Sequence, residues 1–252
     1  MKLAIFGHAR TGSTLLMRSL WKHLVATGEN EEWSHLGEVF TPHTYSTLIV
    51  EDGHLKIVRT TEPHDRSNNV PQMREARFKL FKLFSHHDYV MKFMSQDTQT
   101  SGIAEWMRDN YRIIAIERRN VLSAFLSSLI AYEYQNWRVL VRDKRPDYKP
   151  FVVERDVMKP LATHIMRYYR YRDSLNPSHV LYYEDIVNTS EEDIIRMAGM
   201  VPKPNHVYEL PNTVKIHTFQ EKMDLIENLD DVVQYFMETT APYGIKMDHN
   251  DL

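Results

Sequence analysis

The sequence predicts a three-layer α/β domain with a central, mainly parallel sheet flanked by helices. Two observations predict it. Short apolar runs bounded by polar or turn residues recur at about 2–6, 34–40, 88–93, 112–117 and 178–183, with the length and character of buried strands. Stretches of helical length and pattern separate them, at 13–27, 71–85, 97–109, 120–138, 154–174 and 190–199. Strands that alternate with helices leave both faces of a parallel sheet covered. A chain of 252 residues suffices for one such domain with a substantial core, so 1–252 is taken as a single domain.

The first element carries the most chemistry. Leu3-Ala4-Ile5-Phe6 runs into Gly7-His8-Ala9-Arg10-Thr11-Gly12-Ser13-Thr14 and then into the helical run Leu15-Leu16-Met17-Arg18-Ser19-Leu20. A glycine-punctuated turn from strand to helix presents backbone N–H groups to a phosphate at the helix N-terminus. Against the P-loop pattern G-x-x-x-x-G-K-[ST], Gly7, Gly12 and Thr14 fit, but Ser13 stands where the lysine belongs. Arg10 keeps a cation one turn earlier. The turn is P-loop-like, yet suited to a phosphorylated nucleotide that is handled differently from ATP.

The helix at 71–85 can start at Pro71, a favoured first-turn residue. Its Met73, Phe78, Leu80, Phe81 and Phe84 form an apolar stripe, and Arg74, Arg77, Lys79 and Lys82, with Arg66 nearby, are expected on its solvated face. The strand at 112–117 leads into Arg118-Arg119-Asn120, and Ser127 lies eight residues after Arg119. Arginines at the carboxyl end of a parallel strand stand where open α/β sheets bind ligands. Arg119 at the helix mouth and the Ser127 hydroxyl can converge on one anion, which an arginine fork grips with two charge-assisted bonds. Proline and charge concentrate at 142–150, expected as an exposed loop or lid, and 201–252 is expected to be largely irregular, helical in part after Lys215.

Composition narrows the function. The chain is 42% hydrophobic and 26% charged, as in ordinary globular proteins, and its net charge of −3 gives no basic field for nucleic acid. Without cysteine there is no disulfide, thiolate nucleophile or cysteine zinc site. The 13 histidines show no His-x-x-x-His spacing, and His86-His87 point to different faces of any regular element. No apolar run has the length of a membrane span or a signal segment, so a soluble, cytoplasmic protein is expected.

Taken together, these segments resemble the sulfotransferase family that uses 3′-phosphoadenosine 5′-phosphosulfate (PAPS), in its bacterial and tyrosylprotein-like branches. Ala9-Arg10-Thr11-Gly12-Ser13-Thr14 is similar to the family's 5′-phosphosulfate loop, with Ala9 and Thr11 in place of the usual proline and serine. Arg119 and Ser127 match its 3′-phosphate motif, an arginine followed eight residues later by a serine. Leu36-Gly37-Glu38-Val39-Phe40 looks like its Gly-Glu-x-Phe segment, and Tyr183-Glu184-Asp185-Ile186 like its Tyr-Glu-Asp-Leu segment. The tail around Ile226-Glu227-Asn228 is compatible.

The resemblance implies in-line sulfuryl transfer from PAPS to a hydroxyl or amine acceptor, with no metal required. Arg10, Thr11, Gly12, Ser13, Thr14, Arg119 and Ser127 would bind the donor. Arg10 would also neutralise the leaving oxygen, because its guanidinium stays charged. Glu38 would be the general base, with His8 the runner-up, while Glu184 and Asp185 would support the fold near the nucleotide. Lys92 and Lys215 are further cations that can approach sulfate or phosphate. The partners are the nucleotide and an unidentified acceptor, with neither nucleic acid nor membrane. Two alternatives are a P-loop nucleotide or nucleoside kinase, with Glu117 organising magnesium, and a nucleotide-binding relative without turnover.

Overall fold

The computed structural model describes residues 2–27, 34–38, 40, 46–59, 70–84, 89–135, 147–203 and 218–245. The chain begins with β1 (Leu3–Gly7), α1 (Ser13–Thr27) and β2 (Ser34–Glu38), followed by β3 (Ser46–Glu51), β4 (His54–Arg59) and α2 (Val70–Leu83). Next come β5 (Tyr89–Met94), a 3₁₀ turn (Ser95–Gln99), α3 (Ile103–Asn110), β6 (Arg112–Glu117) and α4 (Val121–Glu133). The remainder is α5 (Arg155–Arg172), β7 (His179–Tyr182), α6 (Tyr183–Ile186), α7 (Glu191–Met197), α8 (Phe219–Asp224) and α9 (Leu229–Thr240).

Five strands form a sheet in the order β2-β5-β1-β6-β7, and every pairing is parallel. β1 is central and fully buried. Its side chains alternate between faces, as the pleat requires. Ala4 and Phe6 join Phe78 and Phe81 of α2, Met107 of α3 and Tyr168 of α5. Leu3 and Ile5 pack with Leu16 and Leu20 of α1 and with Ile194 and Ile195 of α7. Helices thus cover both faces, giving the three layers. Among the described residues no helix is long and apolar enough to cross a membrane.

Two regions depart from expectation. β3 and β4 form an antiparallel hairpin outside the main sheet, in a stretch that the strand pattern left unassigned. Its turn is Asp52-Gly53, with φ of 51° and 79°, the left-handed pair that a two-residue hairpin turn demands. The C-terminal part is less irregular than expected. α8 and α9 pack on α4 and α5 through Phe236, which stacks on Phe125 at 4.6 Å, and through Val232 and Ile226. Asn228 clamps this unit to the start of α5, accepting from the Val153 N–H at 2.9 Å and donating to its carbonyl at 3.0 Å. Most of the 142–150 loop, His86-His87, Arg66 and Lys215 lie outside the described residues.

Candidate functional site

Strand order locates a crevice. β1 sends the chain to β2 on one side of the sheet, and β6 sends it to β7 on the other. The connections therefore part between the carboxyl ends of β1 and β6, the point where open α/β sheets leave room for a ligand. The two segments singled out in the sequence meet there.

From the β1 side comes the turn Gly7–Ser13. Arg10 and Gly12 both adopt left-handed backbone, at φ 67° and 80°, with Thr11 outside that region between them. Alternation of this kind turns successive N–H groups inward, forming an anion-binding concavity. A left-handed non-glycine residue costs about 1–3 kcal/mol and persists only where its surroundings impose it. Here the Thr11 hydroxyl donates to the His8 carbonyl at 2.9 Å and pins the turn. Gly12 caps α1, its carbonyl accepting from the Leu16 N–H at 3.2 Å. A Cβ at Gly12 would lie 2.6 Å from Cδ2 of Tyr183, so glycine is required by space as well as by φ.

From the β6 side, the two arginines separate. Arg118 points inward and is 7% exposed. Its guanidinium lies over the Tyr183 ring at 4.1 Å, and its Nη1 is 3.5 Å from the Ser123 hydroxyl. Its buried Nε has no hydrogen-bond partner among the described residues. Arg119 points outward, with 53% of its side chain exposed, and grips Asp185 with both terminal nitrogens at 2.6 and 2.7 Å. Its backbone N–H donates to Glu184 at 3.1 Å. The Ser127 hydroxyl accepts from Arg10 Nε at 3.0 Å. The Tyr183-Glu184-Asp185 segment therefore braces the two arginines. Lys222 of α8 reaches the same end of α4, donating to the Ser123 hydroxyl at 2.7 Å and carbonyl at 3.2 Å.

Burial lowers the affinity of Arg10 for its proton, and neighbouring Arg118 acts in the same direction. An anion in the crevice would relieve both effects.

On the other side of β1, Lys92 of β5 is 3% exposed. It forms an ion pair with Glu38 of β2, its register partner, and donates to the Thr14 hydroxyl at 3.0 Å. Glu38, Lys92 and the start of α1 are thereby one unit. His8 is fully buried, which holds its pKa down at about 4, against the opposing bond to the Ala9 carbonyl and with the help of Arg118 and His164. Its Nδ1 lies 2.9 Å from that carbonyl, which can only accept, so Nδ1 carries the proton and the lone pair is on Nε2. Nε2 is buried with no hydrogen-bond partner among the described residues, leaving it able to accept from a hydroxyl.

Glu117 is occupied elsewhere: it pairs with Arg172 and accepts from the Tyr168 hydroxyl at 3.3 Å. Lys222 was not anticipated, and of the two arginines after β6 the sequence singled out Arg119, not Arg118, for the anion. Adjacent arginines at a strand end leave on opposite sides, and the sequence does not say which turns inward. The full role of Lys92 had a readable signal, since a lysine inside the apolar run Tyr89–Met94 must find a partner.

Comparisons with protein-family models, with curated proteins and with solved structures find no match to this chain.

Proposed function

We propose that the protein is a PAPS-dependent sulfotransferase that acts on a hydroxyl or amine acceptor. The observation that carries this reading is the bond from Arg10 to Ser127, which joins two cationic anion seats in one crevice. One is the turn with its left-handed Arg10 and Gly12. The other is the mouth of α4, where Arg118 holds a buried nitrogen with no partner among the described residues. A nucleotide with phosphates on both its 5′ and 3′ sides needs two such seats, so these residues fit the donor. When bound, the donor supplies a sulfuryl group on an activated phosphosulfate.

The residues divide the work. Backbone N–H groups of Gly12, Ser13 and Thr14 hold anionic oxygens at the start of α1. Arg10 neutralises the charge that develops on the leaving oxygen, an effect strongest where water is excluded. Arg118 takes the 3′-phosphate at the start of α4, assisted by Ser127 further along that helix, and Arg119 holds the loop through Asp185. Glu38, fixed by Lys92, removes the acceptor proton, a contribution of roughly 10²–10⁴-fold.

The kinase alternative has less support. In a P-loop the Thr hydroxyl ligates magnesium. Here the Thr14 hydroxyl accepts from the Lys92 ammonium, whose charge opposes a cation at that oxygen. Glu117, the other candidate for organising magnesium, is bound to Arg172.

Calorimetric titration with 3′,5′-adenosine bisphosphate, beside ATP with magnesium, tests the proposal. The expected result is micromolar binding of the bisphosphate without metal and little of ATP. Preference for magnesium-ATP would overturn it. Bisphosphate binding with no transfer from PAPS to any of a broad acceptor panel would favour the relative without turnover.

A further inference from the structure

A second cluster of cations lies beside the crevice and is not used by the donor. The α2 arginines expected on a solvated face are buried: Arg74 is 8% exposed and Arg77 is 7% exposed. Arg74 lies within electrostatic reach of His164 and Arg167, one turn apart on α5. Asp97 of the 3₁₀ turn is an acid that acts on both Arg74 and Arg77. Asp97 stands 3.9 Å from Arg74 Nε, beyond hydrogen-bond distance, and is engaged by the Met94 N–H at 2.9 Å. Arg74 spends Nη1 on Gln99, at 3.1 Å.

Three buried nitrogens in this cluster have no hydrogen-bond partner among the described residues: Arg74 Nε, His164 Nδ1 and Arg167 Nη1. A buried polar group left without a partner is expensive, and the like charges of Arg74 and Arg167 oppose each other across the cluster. A single anion would answer both. The cluster also lies within electrostatic reach of the crevice, because both Arg118 and His164 act on His8. The 3₁₀ turn that carries Asp97 begins directly after β5, whose Met94 is paired with Gly7.

We propose that Arg74, His164 and Arg167 form a second anion site that anchors a carboxylate or phosphate group of the acceptor. The sulfuryl acceptor is therefore itself an anionic molecule. This assignment rests on the sulfotransferase reading for the word acceptor, whereas the anion site stands on its own contacts.

The test is calorimetry on the full chain, first with 3′,5′-adenosine bisphosphate alone. The bisphosphate-saturated protein is then titrated with inorganic phosphate, glycerol 3-phosphate and glycerol. Expected are saturable binding of both anions, tighter for glycerol 3-phosphate, and none of glycerol. Arg74→Gln and Arg167→Gln should each weaken anion binding roughly tenfold or more, as loss of a charge-assisted bond does, while leaving bisphosphate affinity unchanged. Should a variant fail to fold, the His164 ring resonances of the unaltered protein give a second readout, and phosphate should shift them saturably. Anion binding untouched by either substitution, or His164 resonances indifferent to phosphate, would overturn the site. Tighter binding of free phosphate than of glycerol 3-phosphate would overturn its role as an acceptor anchor. Anion binding that is lost in both variants, in a protein that ignores the bisphosphate, would keep the site and remove the donor reading instead.

Discussion

Arg10, from the turn after β1, donates through Nε to the hydroxyl of Ser127 in the middle of α4, 3.0 Å away and 117 residues later. This bond makes the turn and the helix one structure. It also explains why Arg10 tolerates a left-handed backbone at φ 67°: its side chain is fixed to a helix that is buried almost throughout.

With Ser127 committed to Arg10, the inward arginine is the natural partner of a second phosphate. Arg118→Ala should weaken binding of 3′,5′-adenosine bisphosphate by roughly 10- to 100-fold, since a hydrogen bond to a charged group contributes about 1.5–3 kcal/mol. Arg119→Ala should change it only about threefold, as expected for an exposed ion pair whose worth is about 0–1 kcal/mol. Equilibrium titration of both variants checks this, and a reversed order would return the phosphate to Arg119.

Gly12→Ala should destabilise the fold by about 2 kcal/mol or more, combining left-handed strain with a clash. The clash is with Tyr183, whose Cδ2 would sit 2.6 Å from the new Cβ. In a Tyr183→Ala background the same change should cost only the strain, about 1 kcal/mol. Urea denaturation of the four proteins in the cycle measures the difference, and equal costs in both backgrounds would show that Tyr183 moves aside freely.

Glu38→Gln should lower transfer roughly 10²–10⁴-fold and leave bisphosphate affinity nearly intact. Lys92→Met should act on stability instead, because it leaves a carboxylate without its buried ammonium; breaking such a pair costs about 3–5 kcal/mol. Glu38 is partly exposed, so the lower end is expected. The double variant should recover part of that loss, giving a coupling energy of about 1–3 kcal/mol in a double-mutant cycle. Normal turnover by Glu38→Gln would transfer the base role to His8, whose Nε2 lone pair is the next acceptor in line.

The centre of the sheet was legible because β5, β1 and β6 are buried on both faces and read as apolar runs, as Leu3–Phe6 and Ile113–Ile116 do. The β3–β4 hairpin was missed, although Asp52-Gly53 between two β-rich segments is a strong turn signal. Its apolar runs, Leu48-Ile49-Val50 and Ile57-Val58, are shorter than those of the central strands, so a search for buried strands passes over them. The turn Gly7–Ser13 was legible because its chemistry is contiguous. The Arg10–Ser127 and Glu38–Lys92 contacts were not, since strand order and register bring those residues together. Arg74 and Arg77 mark the plainest limit: arginines flanking an apolar stripe are usually solvated, and only tertiary packing, which sets Arg74 against Asp97 and Gln99, buries them.

The two buried histidines make stability depend on pH. His8 and His164 both titrate near 4, lowered from 6.5 mainly by burial and further by neighbouring arginines: Arg118 beside His8, Arg167 and Arg74 beside His164. In the unfolded chain each histidine takes up its proton as pH falls through about 6.5. The folded protein resists until about 4. Between those values the unfolded state binds more protons, so stability is complete above about 6.5 and falls as the solution is acidified. At about 1.4 kcal/mol for each pH unit of displacement, the loss is on the order of 3 kcal/mol for each histidine. Urea denaturation at neutral pH and in mild acid should show it, and His164→Gln should flatten the profile by about one proton. Phosphate should oppose the effect if it binds between Arg74 and Arg167, because an anion there favours the charged imidazole. A profile that phosphate leaves unmoved would count against the anion site, of which His164 is part.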